Sequence, residues 1–441
     1  MTKNILIKNA PVWTGGKNGK LLKNHSVLIE DDKIKKIAPS KNFRGKFPKT
    51  LDASGKVLLP GFINAHMHFY STFARGLGKA KPSMTFVEIL ENLWWKLDKR
   101  LTKEASYYSA VIPLVNAVRK GTTTLMDHHA SPFHITGSLS RIEKAVRETG
   151  LRSALCYEVS DRDGKEKTAE GLKENVEFIK YAKAKNDNFI KALFGLHAQF
   201  TLSDDTLEKA AAYGKDLASG FHIHCAESND DQIKCETFSK MRVVERLKKF
   251  GILGPKTLLA HCVHVNDGEM ELIKESGSAV VHNPQSNANN AVGVANITEM
   301  AKKGIPVGLG TDAMTVNMLE ELRSALWLQH LKNNPSVGFM ETANALMVNN
   351  AAIANRYFEK LGEIKEGFFA DLVLMDYHPP TPLETENFYG HLIFGISQSE
   401  ADTTIVNGRI LMEGKKLKLG LDEEEISRKS AELAAKVWKE F

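Results

Sequence analysis

The chain has 441 residues, 42% hydrophobic and 25% charged, with 59 basic and 53 acidic side chains giving a formal net charge of +6. That length and apolar content bury a sizeable core without covalent staples, which excludes a small disulfide scaffold, a collagen-like repeat and a disordered chain. The charge balance is mild and gives no reason to expect nucleic acid or an anionic membrane as partner. The four cysteines form no C-x-x-C pair, Met1-Thr2-Lys3-Asn4-Ile5 lacks a signal peptide's apolar stretch, and no apolar run matches a bilayer's thickness, so a cytoplasmic protein is expected.

Residues 1–56 alternate like short strands around turn signals at Gly15-Gly16 and Asp31-Asp32. From Val57 the rhythm changes, and short apolar strands alternate with helical patterns. The strand candidates are Val57–Leu59 running on to His68, Thr122–His129, Leu151–Glu158, Lys191–Gln199, Gly220–Glu227, Thr257–Val265, Ala279–Asn283 and Pro306–Asp312. This alternation predicts an α/β fold, a (β/α)8 TIM-like barrel over residues 57–365, with a doubly wound open sheet as the alternative. No G-x-G-x-x-G opens a helix after the first strand, which argues against a dinucleotide site. The connection from Ser71 to Leu101 sets Phe86, Ile89, Leu90, Leu93, Trp94 and Leu97 at helical spacing. It reads either as a helix packed by its apolar face or as a lid that brings Trp94 or Trp95 to a substrate. A helix is predicted from its N-cap Thr102 to Lys120. Near the chain end, Asn407-Gly408 marks a hairpin turn between Thr404–Val406 and Arg409–Met412, and an amphipathic helix spans about Asp422 to Lys439.

Polar residues recur where the predicted barrel strands end: His66 and His68, His128 and His129, His197, His222, His224 and Glu227, His261 and His264, His282, and Asp312. Functional groups of this architecture gather at that rim. In His-x-His on a strand, the period of two puts both imidazoles on one face, where they can share a divalent metal. With 15 histidines in the chain, chance alone supplies about half of one such pair, so the two pairs at 66/68 and 222/224 matter through their positions.

Pro60-Gly61-Phe62-Ile63-Asn64-Ala65-His66-Met67-His68 resembles the first-strand signature of the amidohydrolase superfamily, and His222-Ile223-His224-Cys225-Ala226-Glu227 its fifth-strand motif. Ala260-His261-Cys262-Val263-His264, Val281-His282-Asn283-Pro284-Gln285-Ser286-Asn287 and Gly308-Leu309-Gly310-Thr311-Asp312 match its last three strands. Within that superfamily the chain is similar to the chlorohydrolase/aminohydrolase group. Phe69-Tyr70-Ser71, Leu93-Trp94-Trp95-Lys96-Leu97-Asp98 and Asp127-His128-His129-Ala130-Ser131-Pro132 resemble its SsnA-type aminohydrolases.

The resemblance implies a metal held by His66, His68, His224 and Asp312. It implies Glu227 as proton shuttle, His261 as the group that polarises the substrate or holds the attacking water, and Asp312 as acceptor of that water's proton. His197 matches a substrate-contacting position; His129, Trp95 and Asn287 are further substrate-binding candidates. His128 is expected to point away from the pocket, and His222 to be a hydrogen-bonded core histidine. Binuclear relatives carry a carboxylated lysine at the end of the fourth strand; here Lys191 opens that strand, so one divalent ion is expected, Zn2+ with Fe2+ as the other candidate. Asn287, Asn289 and Asn290 stand where many aminohydrolases carry Met or Lys-Leu after the Ser-Asn. Residues 1–56 and 366–441 are implied to pair into one small β-sandwich domain beside the barrel.

The expected function is a metal-dependent aminohydrolase, a deaminase. Metal-bound hydroxide would attack an amidine-like carbon of a small aminated heterocycle and release ammonia. Cyclic amide hydrolysis or dechlorination on the same site is the enzymatic alternative, and a non-catalytic metal-binding protein the other. The expected partner is a small molecule, with oligomeric state open.

Overall fold

A glycine divides the first predicted strand in two. In the computed structural model, which describes residues 4–441, Lys56–Pro60 lies in a sheet of mixed direction, whereas β1 (Phe62–Met67) lies in a parallel one. A Cβ on the intervening Gly61 would stand 2.2 Å from Cγ2 of Thr123. The chain passes its neighbour closely there only because it has no side chain.

The other parallel strands follow in the expected order. They are β2 (Thr122–His129), β3 (Arg152–Tyr157), β4 (Phe194–Ala198), β5 (Phe221–Cys225), β6 (Leu258–His261), β7 (Ala279–His282) and β8 (Val307–Leu309). The short segment Ile190–Ala192 precedes β4 and pairs with β3 instead. One sheet runs from that segment through β3 and β2 to β1, and the other runs from β4 to β8 in sequence order. Helices connect the strands, and the arrangement is TIM-barrel-like α/β. The helix Lys103–Arg119 begins as predicted, with the Thr102 hydroxyl accepting from the Ala105 amide. Leu114, Ile142 and Phe178 pack between helices and strands, while Met126, Ala154, Cys156 and Val281 fill the other strand face.

The edges of the two sheets meet at two places, through single parallel bridges from Val159 to Leu196 and from Met67 to Asp312. A buried asparagine stitches each. Asn175 accepts from the Tyr157 amide (2.9 Å) and the Gly195 amide (3.3 Å), and donates to both carbonyls (2.8 and 3.2 Å). Asn350 donates to the carbonyls of Ile63 (2.6 Å) and Leu309 (2.9 Å) and accepts from the Leu309 amide (2.8 Å). These amides satisfy strand-edge groups that would otherwise be buried unpaired. Asn350 also fixes the start of β1 against the end of β8, which brings His66 and His68 beside Asp312.

Both chain ends share one sheet, because Leu372–Asp376 runs antiparallel to Lys56–Pro60. The predicted hairpin joins it as Ala401–Val406 and Arg409–Glu413. Its turn residues Asn407 and Gly408 both take positive φ (52° and 69°), as a type I′ turn requires. A separate sheet comprises Asn4–Lys8, His25–Glu30, Lys33–Pro39 and Lys49–Asp52. No helix among the described residues is long and apolar enough to cross a membrane.

Candidate active site at the strand ends

His66 and His68 close β1, His224 lies on β5, His261 ends β6, and Asp312 follows β8. The strand ends bend sharply here: His261 has φ 75° and Asp312 φ 51°. Such conformations cost a side-chain-bearing residue free energy and persist where the surroundings fix them. Around Asp312 those surroundings are the His66 carbonyl, which accepts from the amides of Thr311 (2.9 Å) and Asp312 (3.0 Å). Asn64 adds a bond from its amide nitrogen to the Thr311 hydroxyl (2.7 Å).

Hydrogen bonding fixes the histidine tautomers. His68 Nδ1 lies 2.6 Å from the His128 carbonyl oxygen and His224 Nδ1 lies 2.9 Å from that of His197, so both Nδ1 atoms carry the proton and donate. The two Nε2 atoms then face each other at 3.1 Å, with Asp312 Oδ1 3.1 Å from that of His68. Two further electron-pair donors thus crowd His68 Nε2, which calls for a positive charge. With only protons available, His68 takes that charge. Burial opposes it, but the hydrogen bond and charge of Asp312, helped by Glu158, raise its pKa to about 9. Asp312 is held below the usual carboxylate range despite its burial, chiefly by His68.

A divalent cation meets the same demand. Ligand atoms of His66, His224, His261 and Asp312 lie within 4.8 Å of one another, as do those of His68, His128, Glu158 and His224. His66 Nε2 is buried without a hydrogen-bond partner and 3.8 Å from Asp312 Oδ1. Burial, reinforced by four neighbouring histidines, keeps His66 neutral and its lone pair available. His222, as expected, is a core histidine, and its Nε2 meets His66 Nδ1 at 2.8 Å. The donor set of imidazoles and a carboxylate suits zinc.

Beside this cluster stand the proposed proton-handling groups. Glu227 follows the turn after β5, where Ala226 takes φ 46° and its amide donates to Asp231 Oδ2 at 2.7 Å. Burial pushes the Glu227 carboxyl up to about 7; His261 opposes the shift and Asp312 adds to it. Asn290 donates to Glu227 Oε1 (3.3 Å), and Ser286 donates to Asp312 Oδ2 (2.5 Å). His261 gives its Nδ1 proton to Asn287 Oδ1 (2.8 Å), which aims Nε2 at Glu227 Oε2 (3.4 Å) and Asp312 Oδ2 (3.7 Å).

These groups open into a narrow, partly enclosed cavity with about 60 Å³ of free volume. His197, Trp95, Glu227 and Asp312 line it. The Ser71–Leu101 connection forms one wall through Phe86, Leu90, Trp94 and Trp95, so its apolar stripe packs and also faces the cavity. Three expectations require correction. His129 is not among the lining residues; it contacts Ser131 Oγ at 3.0 Å and packs on Tyr70 and Tyr157. His128 instead turns toward the cluster, its ring 4.9 Å from that of His224. The reason is strand parity: Met126, two residues earlier, already faces the same interior as Cys156. Asn287 likewise does not line the cavity, and acts through His261.

Sequence reasoning passed over Glu158, Ser286 and Asn290 as site residues. Glu158 follows β3 directly, and its place at the rim was a usable signal. Ser286 and Asn290 lie on the helical turn after β7, where nothing local distinguishes a carboxylate's hydrogen-bond donor from a capping residue.

Known proteins resemble this chain over nearly its whole length. The Amidohydrolase family model matches residues 57–411. A 5'-deoxyadenosine deaminase of Methanobrevibacter smithii is 33% identical over 437 residues, covering 98% of this chain and 97% of its own. A 5-methylthioadenosine/S-adenosylhomocysteine deaminase of Dictyoglomus turgidum is 32% identical over 428 residues, with 96% of each chain covered. The solved structure of a zinc-bound adenosine deaminase from Xanthomonas campestris superimposes with a TM-score of 0.85 at 20% identity, covering 99% of this chain and 98% of its own.

Proposed function

Because this chain belongs to the amidohydrolase family, we propose that it is a metal-dependent deaminase, a hydrolase of carbon–nitrogen bonds other than peptide bonds. Its substrate would be a small aminated heterocycle attacked at an amidine-like carbon with release of ammonia. The observation that carries this reading is that His224 Nε2 and Asp312 Oδ1 each lie 3.1 Å from His68 Nε2, beside the Glu227–His261 pair. The names of the two curated relatives support deamination, and make adenosine-type nucleosides the first compounds to assay.

His66, His68, His224 and Asp312 would hold one divalent cation, zinc by donor type and by the zinc in the similar structure. Bound there, the cation supplies Lewis acidity and a water acidic enough to ionise near neutral pH. Asp312, held by Ser286, would be the acceptor for a proton leaving the attacking water. Glu227, its carboxyl raised to about 7, donates in its acid form to the ring nitrogen at the attacked carbon and then carries a proton to the departing amine. His261, aimed by Asn287, would hold a proton of the attacking water through its Nε2 lone pair. His197 and Trp95 contact the substrate's ring. The two parallel sheets are the halves of one (β/α)8 barrel over residues 57–365. The segments 1–56 and 366–441 then make a composite β-sandwich domain, with Lys56–Pro60 crossing between the two units.

Zinc-loaded protein assayed for ammonia over a panel of aminated heterocycles and nucleosides tests the proposal. Glu227→Gln should retain zinc and lose about 10²–10⁴-fold in turnover. Ammonia release at the wild-type rate from the variant would remove Glu227 from the chemistry. Ring opening without ammonia would replace deamination by cyclic amide hydrolysis.

A further inference from the structure

Glu227 does not stand on a regular strand. β5 ends at Cys225, and Ala226 then takes φ 46°, a left-handed turn that a residue with a Cβ adopts at a cost. Beyond this turn Glu227 Oε2 stands 3.4 Å from His261 Nε2. The Ala226 amide is buried, and its acceptor is Asp231 Oδ2 at 2.7 Å. Asp231 lies on the first turn of the helix Asn229–Ser239 and is itself held from behind. Its Oδ1 and its carbonyl oxygen accept from Gln199 Nε2 (2.8 and 3.0 Å). Gln199 Oε1 accepts from Arg246 Nη1 (3.1 Å), which also donates to the Gln199 carbonyl (2.9 Å). The other end of that guanidinium donates to the Leu202 carbonyl (2.9 Å) and to Asp204 (2.6 Å). Arg246, Gln199 and Asp231 are all buried. The direction of each bond is forced. A guanidinium and a backbone amide only donate, so Gln199 turns its oxygen to Arg246 and its NH2 to Asp231, and Asp231 accepts on both oxygens.

We propose that Asp231 and Gln199 are positioning residues for Glu227. The bonds from Arg246 through Gln199 to Asp231 hold Ala226 in its left-handed conformation, and that conformation carries the Glu227 carboxyl to the reacting atoms. Asp231 lines the cavity but acts through the backbone and not on the substrate. This rests on Glu227 being the proton shuttle of the deaminase proposed above.

The forced polarity supplies the test. Asp231→Asn keeps the shape but sets an NH2 against either the Gln199 NH2 or the Ala226 amide, and Gln199→Glu sets two carboxylates face to face. Each change alone breaks the run of bonds. Made together they reverse the central bond, because the new carboxylate accepts from both Arg246 and the new amide, whose oxygen still accepts from Ala226. In zinc-loaded, folded protein each single change should lower kcat about 10–100-fold with KM within about twofold, and the pair should return to within about threefold of wild type. Wild-type kcat in both single variants, whatever their thermal stability, would make these bonds a structural brace only and overturn the proposal. So would a pair no faster than the single variants, or a rise in KM at constant kcat, which would make Asp231 a substrate contact. Gln199→Leu, which leaves the Asp231–Ala226 bond in place, should cost about 3–10-fold in kcat and serves if the other single variants do not fold; an unchanged kcat there would likewise overturn the proposal. A crystal structure of Asp231→Asn, or of Gln199→Leu in its place, gives a readout without activity. Ala226 should leave its positive φ and Glu227 withdraw from His261, and an unmoved Glu227 would remove the positioning role. A failure of the wild type to release ammonia from any substrate would count against the deaminase reading alone.

Discussion

Single hydrogen bonds decide what each site histidine can do. His68 and His224 present lone pairs because backbone carbonyls take their Nδ1 protons, and His261 is aimed because Asn287 takes its proton. Replacing Asn287 by Leu should leave zinc content unchanged and lower kcat about 10–100-fold, the range for partners that orient site imidazoles. An unchanged kcat would show that His261 needs no such anchor. Glu227 sets the pH dependence. Its carboxyl is raised to about 7 by burial, and the acid form is the one that donates. The value of kcat/KM should therefore be level below pH 7 and fall about tenfold per pH unit above it. A profile that rises through pH 7 would make Glu227 a base instead. The identities of these residues were legible in the sequence. Their tautomers were not, because each depends on a carbonyl or amide contributed by a different strand.

One element lines the cavity's outer wall and another, far away in sequence, backs it. The stretch from Phe86 to Arg100 contains a π-helical turn, Leu90–Trp94, whose extra residue rotates the two tryptophans. Trp94 meets Tyr70 edge-on at 6.2 Å, and Trp95 meets His197 at the same distance. The C-terminal helix Glu423–Glu440 holds this stretch in place. Its Leu433 and Val437 pack with Tyr70, Phe73, Leu97 and Leu101, and Trp438 Nε1 donates to the Phe73 carbonyl at 2.7 Å. Trp438→Ala should raise KM about 3–10-fold with a smaller effect on kcat, since it loosens a binding wall without touching the reacting atoms. A fall in kcat at constant KM would point to a different role. The sequence showed both elements as amphipathic helices. It could not show that they pack on each other, because a hydrophobic stripe specifies burial without naming the surface that buries it.

At the scale of the molecule, buried polar residues tie the parts together. Besides the asparagines at the two seams, Arg152 on β3 is fully buried and bonds Asp371 through Nε at 2.6 Å and Asn407 at 2.5 Å. The parallel strands are thereby anchored to the sheet that both chain ends share. Arg152→Ala leaves Asp371 as an uncompensated buried charge. It should cost about 3–5 kcal/mol in denaturant unfolding while kcat/KM of the folded fraction is preserved. A loss below about 1 kcal/mol would mean that Asp371 finds water or another donor.

The order and number of the parallel strands followed from the sequence's own alternation, whereas the metal-ligand candidates and Glu227 came from the resemblance of its motifs to the amidohydrolase superfamily. Strand alternation has a short period, and His-x-His and its companions occupy strand ends that can be located one at a time. The tertiary structure decided what depends on two segments at once. It set the parity of β2, which turns His128 inward and His129 away, and the break at Gly61, where Thr123 leaves no room for a Cβ. Local periodicity records which residues share a face, whereas the partners across that face are chosen by distant chain brought there in folding.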